Sequence, residues 1–276
     1  MLTIENTEVF GWDAAIRGMR NPMNSWNKSD TWFWDYSDVE ENDHCHSFNI
    51  PSATMADSEQ EGCLDIHWIE VQKCPEWTRE FEHIETIKDH PYDWKYSCKA
   101  FIGPNDHGLM MKLAKNGSVH SKYRRMINVT MDVTAPLYWW KEFDTYKVGT
   151  VADSCSTMHK IQAKEFTLDD FSHEHLTSYI HGGELCRNWL ESLEATIDDL
   201  NAARMLFLET KDKRYWWQMI QLLPSSYNQR RTIQLNYEVL ANIYIWRKDH
   251  KLDCWHTFYD WIESLPYSEL ITLKEN

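Results

Sequence analysis

Positively charged side chains gather at two places in this sequence: Arg230, Arg231, Arg247 and Lys248 near the C-terminus, and Lys122, Arg124 and Arg125 in the middle. Either cluster could hold one small phosphorylated ligand, because guanidinium and ammonium groups give charge-assisted hydrogen bonds to phosphate oxygens. Asn236, Asn242 and Arg247 follow one another at intervals that suggest neighbouring turns of a helix facing one cleft. Asp43-His44-Cys45-His46 offers a different chemistry. On an extended segment His44 and His46 share a face and could bind one ion, with Cys63, His67 or Cys74 adding a ligand. None of these has the spacing of a zinc motif, so a polar loop and no metal are expected. His173-Glu174-His175 is a weaker version of the same pattern and follows Asp169-Asp170 at what reads as a helix start. Ser154-Cys155-Ser156 holds a thiol with no base beside it in sequence, and an inert cysteine is expected. There is no HExxH, P-loop or GxGxxG pattern and only nine glycines, which argues against Walker-type and Rossmann-type binding.

Composition narrows the partners. The formal net charge is -15 over 276 residues, which disfavours nonspecific binding to a nucleic-acid polymer. No apolar run approaches the roughly 20 residues that span a bilayer, and the N-terminus lacks a basic region followed by an apolar stretch. A cytoplasmic protein with no membrane partner is the expectation. The seven cysteines are odd in number and irregular in spacing, with no CxxC, which fits reduced thiols better than a disulfide framework. Fifteen tryptophans include the pairs Trp139-Trp140 and Trp216-Trp217. Core packing is their first reading, and a stacking surface for a flat ring is the second.

The elements that must position these groups read as an α+β fold. Thr3 to Phe10 is expected as a strand, followed by a helix through Ala14, Ala15 and Ile16. Residues 26–106 carry acidic and polar runs with no sustained helical period and read as a long decorating insertion on a single domain spanning 1–276, with a lid as one use. Residues 108–125 read as a helix with a stop at Asn116-Gly117. Ile127, Val129, Met131 and Val133 alternate with polar residues, giving a strand that Pro136 ends. Leu137 to Phe143, 186–209, Lys213 to Leu222, Tyr237 to Arg247 and Cys254 to Leu265 are expected as helices, with a short strand at Thr232 to Leu235.

Val133-Thr134-Ala135-Pro136, and then Leu223-Pro224 with Asn236, Leu240, Asn242 and Arg247 at fixed spacing, resemble the flavin-dependent thymidylate synthases. That family has a V-x-A-P-like turn, an R-Q pair and the signature RHRxxSxNExSxRY. Lys141-Glu142 falls on the R-Q pair, Thr145-Tyr146-Lys147 on RHR, Thr150 on the first Ser and Asp153 on the Glu. Without a gap Cys155, Thr157 and Met158 fall on the closing Ser, Arg and Tyr, and with one inserted residue Ser156, Met158 and His159 do, so the terminal arginine has no match in either register. Arg230 falls on a family arginine, while Glu238 and Ile220 replace two others. The resemblance covers roughly 108–160 and 218–262.

The resemblance implies a central antiparallel sheet with a helix-rich C-terminal half. It implies methylation of dUMP to dTMP, or a related pyrimidine modification, with FAD as cofactor and NADPH and methylenetetrahydrofolate as co-substrates. Lys141, Glu142, Lys147, Thr150, Asp153, Arg230 and Arg247 would then contact the nucleotide, and Tyr146, Lys147, Asn236 and Asn242 the flavin. A homotetramer with sites between subunits is implied, which would make the tryptophan pairs interface. The replaced RHR triplet motivates the alternative of a protein of the same fold that binds, sequesters or senses a nucleotide without chemistry.

Overall fold

In the computed structural model the described residues are 2–33, 100–181 and 184–274. The candidate ligands His44, Cys45, His46, Cys63, His67 and Cys74 lie outside them.

The chain opens with strand β1 (Thr3–Phe10) and helix α1 (Trp12–Arg20). Two-residue strands β2 (Trp32–Phe33) and β3 (Ala100–Phe101) pair antiparallel, with Phe33 opposite Ala100. Helix α2 (Pro104–Lys115) follows, then strand β4 (Asn128–Pro136), helix α3 (Leu137–Phe143) and strand β5 (Val151–Ser154). A ribbon of β6 (Ser178–His181) and β7 (Glu184–Asn188) leads into the long helix α4 (Trp189–Thr210) and helix α5 (Lys213–Leu222). Strand β8 (Asn228–Asn236) and helices α6 (Tyr237–Arg247), α7 (Asp253–Ser264) and α8 (Glu269–Thr272) complete the chain.

The central sheet has the order β1-β4-β8-β5, and every neighbouring pair in it is antiparallel. The expected α+β class, with an antiparallel sheet and a helix-rich C-terminal half, is what is seen. Alternation decides how the sheet packs. Val129, Met131, Val133 and Ala135 of β4 point inward with Ile233 and Leu235 of β8, all essentially buried. They meet Trp139, Trp140, Phe143, Trp255 and Phe258, whose rings contact one another at centroid distances of 4.9–5.8 Å. The pair Trp139-Trp140 is therefore core. A second apolar cluster joins Leu193, Ile197 and Leu200 of α4 to Met219 of α5 and to Phe166 and Phe171.

Several boundaries differ from expectation, each for a local reason. The first three residues of the helix expected at 186–209 belong to β7, because Asn188 caps α4 by accepting from the Leu190 N–H at 3.1 Å. The helix start expected before His173 is a single 3-10 turn, Leu168–Asp170. Its capping box closes between Thr167 and Asp170, and Phe171 then bridges to Tyr227. β8 extends the strand expected at Thr232 to Leu235 over nine residues, pairing along all of β4. α2 begins at Pro104 because the carboxylate of Asp30, far away in sequence, accepts from the N–H groups of Asn105 and Asp106 at 2.8 and 3.0 Å.

That last contact is part of a buried clamp at the ends of the segment 34–99. Asp106 is fully buried and accepts from Arg20 Nε at 2.5 Å, from the hydroxyls of Ser29 and Thr31, and from the N–H groups of Asp30 and Thr31. Gly103 closes the clamp, since a side chain there would start 2.3 Å from Asp30. Residues 26–33 and 100–106, counted in the expected insertion, are thus tied into the body of the fold.

Candidate functional site

Position along a strand separates the two C-terminal arginines that are adjacent in sequence. Arg230 and Arg231 point to opposite faces of β8. Arg230 lies on the outer face, where it donates to Asp132 at 2.9 Å and meets Glu5 at 3.1 Å. Across the four strands Glu5, Asp132, Thr232 and Asp153 stand opposite one another in one row. Hydrogen bonds from Thr232 above all, and from Asn6 and Arg230, hold the Asp132 carboxyl at about 2. A lowered carboxylate stabilises the fold above its unfolded value, near 3.9, and that contribution is lost as pH falls toward 2. Thr232→Val removes the leading cause. The Asp132 titration, followed by carboxyl carbon NMR, is then expected to move up toward the ordinary range; an unmoved titration would remove Thr232 as the cause.

Arg231 faces inward. Its guanidinium lies 4.1 Å from the ring centroid of Trp140, and it donates to Asp144 at 2.7 Å and to Gln229 at 3.1 Å. Sequence reasoning placed Arg231 in the cation cluster but did not see its aromatic shelf. The inward phase of β8, shared with Gln229, Ile233 and Leu235, was the available signal.

Arg247 ends α6 and reaches back to the end of α3. Its Nε donates to the Tyr146 hydroxyl at 3.0 Å, and its Nη1 pairs with Glu142 at 2.9 Å. The guanidinium lies 5.5 Å from the ring centroid of Tyr146 and 5.1 Å from that of Trp255. Three residues chosen from the sequence, Glu142, Tyr146 and Arg247, therefore meet in one place, and Trp255 is the member that was missed. His250 lies 6.0 Å from Trp255, ring to ring. Burial, reinforced by Arg247, lowers its pKa, and its Nδ1 accepts from the Leu252 N–H.

The loop between α3 and β5 carries the next candidates. Lys147 is exposed, and Gly149 takes φ +80°. A side chain at Gly149 would start 3.0 Å from the Asn236 amide nitrogen. The Thr150 hydroxyl is buried and has no hydrogen-bond partner among the described residues. Asn236 is itself buried and spends its amide oxygen capping α6, accepting from Val239 N–H at 3.1 Å.

The remaining candidates lie apart. Lys141 is exposed on α3, and Asn242 is exposed on α6 beside Ile245 and Trp246, which are 62% and 75% exposed. Asp153 and Arg230 belong to the outer sheet face. Asn236 starts α6 buried and Arg247 ends it against α3, while Asn242 opens to the other side. Helical rotation of roughly 100° per residue separates Asn242 from Arg247 by about 140°, so the three do not share one cleft. Of the expected flavin contacts, Tyr146 and Lys147 lie on the loop after α3, Asn236 is buried at the start of α6, and Asn242 is exposed on α6.

In the middle cluster Arg124 is structural, whereas Lys122 and Arg125 are exposed. Arg124 is buried, pairs with Glu238 at 2.7 Å and donates to the Leu270 carbonyl at 3.1 Å and to the Ser121 hydroxyl at 3.0 Å. Glu238, which replaces an arginine of the resembled family, is thus the buried counter-ion of Arg124. His173 and His175 turn to the Phe171 carbonyl and to Asp253, at 2.8 and 3.0 Å. Cys155 is exposed, with its backbone N–H and carbonyl bonded to Arg230 and Gln229, and burial raises the thiol of Cys254.

No family profile and no curated protein sequence matches the chain. Solved structures do. A crystal structure of thymidylate synthase X from Helicobacter pylori with FAD and dUMP aligns over 99% of this chain and 97% of that one, at TM-score 0.51 and 10% identity. The fold is that of the flavin-dependent thymidylate synthases. A second structure of the Helicobacter pylori enzyme, also with FAD and dUMP, covers 66% of this chain and 87% of that one at TM-score 0.46 and 14% identity. A UMP/dUMP methylase from Streptomyces cacaoi bound with 5-bromo-dUMP covers 62% and 82% at TM-score 0.44 and 13% identity. At such identities what is shared is the fold. Among the described residues no helix is long and apolar enough to cross a membrane.

Proposed function

We propose that this chain binds a pyrimidine nucleotide, dUMP or a close relative, at the end of α3 against the C-terminus of α6. The observation that carries the reading is Arg247, a partly buried guanidinium fixed between the Tyr146 and Trp255 rings with its outer edge turned to a carboxylate. Such a group suits a phosphate, and the exposed Lys147 beside Tyr146 adds a second positive charge. Thr150, on the same loop, is a further candidate for sugar or base, and the end-to-end likeness to an enzyme bound with dUMP supports the ligand class.

Arg247→Gln is expected to cost about 1.5–3 kcal/mol of dUMP binding, roughly ten- to hundredfold in Kd, because a charge-assisted contact is lost. Isothermal calorimetry checks this; unchanged affinity would move the site elsewhere.

A second reading is flavin-dependent methylation of that nucleotide, with NADPH and methylenetetrahydrofolate as co-substrates. The same end-to-end likeness to an FAD-bound structure favours it. It needs a second copy of the chain, in a tetramer or smaller assembly, to complete the surface that Asn242, Ile245 and Trp246 leave open. Bound flavin would supply the redox step. An absorbance spectrum with excess FAD separates the readings. A flavin spectrum retained after gel filtration favours the enzyme, and a colourless protein whose melting temperature rises with dUMP favours nucleotide binding alone.

A further inference from the structure

The ion pair between Glu142 and Arg247 has a fixed half and a movable half. Arg247 is held by the Tyr146 hydroxyl and lies against two rings, and its side chain is 16% exposed. Glu142 sits on the last turn of α3 with its side chain 43% exposed, and among the described residues Arg247 is its one side-chain partner. The neighbouring pair repeats the pattern. Asp144 is 47% exposed, while its partner Arg231, shelved on Trp140, is 14% exposed. The end of α3 thus delivers two solvent-facing carboxylates to two anchored guanidiniums.

We propose that Glu142 is a built-in competitor for the ligand's anion. Its carboxylate occupies the edge of Arg247 that a phosphate would take, and it swings into solvent when the phosphate arrives. The inference rests on the reading of Arg247 as the phosphate partner. It adds a specificity device to that site: a dianionic phosphate outcompetes a single carboxylate, whereas an uncharged nucleoside gains nothing from displacing it. Because Glu142 is nearly half exposed, the contact it must give up is modest, and removing it should tighten ligand binding about three- to tenfold.

Calorimetry with two probes, dUMP and inorganic phosphate, tests this on the full chain. Glu142→Gln and Glu142→Ala are both expected to bind each probe about three- to tenfold more tightly than the unaltered protein. The double variant Glu142→Gln with Arg247→Gln is expected to lose that gain. Equal or weaker binding of both probes by the Glu142 variants would overturn the proposal, and so would a gain that survives without Arg247. Tightened phosphate binding with no response to dUMP would uphold the competitor and defeat the nucleotide reading. If neither probe binds either Glu142 variant, the competitor falls.

Discussion

Glu238→Arg is expected to leave no folded protein, although arginine is what the resembled family carries at that position. Glu238 and Arg124 are each 6% exposed and pair at 2.7 Å. Removing one partner of such a pair costs about 3–5 kcal/mol, because the other charge stays buried without compensation. Arginine adds a second buried guanidinium of the same sign, and the total then approaches the whole stability of an ordinary domain, about 5–15 kcal/mol. Far-ultraviolet circular dichroism and urea unfolding read the outcome. Glu238→Gln, which can still accept from Ser121 or Arg124, is expected to fold with a lowered midpoint. Exchanging the charges, Arg124→Glu with Glu238→Arg, should recover part of the loss. A Glu238→Arg protein with an unaltered midpoint would mean that this pair is not buried as described.

Asp106→Ala is the second large effect. The carboxylate is fully buried and takes hydrogen bonds from Arg20, Ser29, Asp30 and Thr31. Alanine strands Arg20, itself 4% exposed, and frees the turn through residues 29–31 that caps α2. A loss of about 3–5 kcal/mol follows from the abandoned charge. At an m-value of about 2–3 kcal/mol/M the urea midpoint should fall by more than about 1 M. Asp106→Asn keeps the shape and one acceptor and should lose less. A midpoint shift below about 0.3 M for alanine would show that Asp106 does not carry the clamp.

These two effects mark what the sequence could and could not show. Regular elements were legible wherever a local pattern set them. The alternation through Val129, Met131 and Val133 gave β4, and Pro136 followed by Leu137 gave the start of α3. Lys213–Leu222 and Tyr237–Arg247 fell on their helices because Asp212 and Asn236 cap them from the adjacent position. What depends on partners far apart in sequence was hidden. Asp30 starts α2, Arg124 finds Glu238, and Trp255 shelves Arg247, and no spacing rule links those residues. Within the site, contact between Glu142, Tyr146 and Arg247 followed the resemblance. In the expected cluster of Arg230, Arg231, Arg247 and Lys248, Arg230 parted from Arg231 because neighbours on a strand face opposite ways. Asn242 parted from Arg247 because a separation of five residues on a helix turns well past the shared face.

A crystal structure of the protein grown with saturating dUMP tests the central claim most directly. The account predicts the nucleotide phosphate within hydrogen-bond distance of the Arg247 guanidinium, with Glu142 turned away into solvent and Tyr146 and Trp255 still flanking the arginine. A nucleotide bound elsewhere, or a Glu142–Arg247 pair that stays closed with no nucleotide at the end of α3, would contradict it.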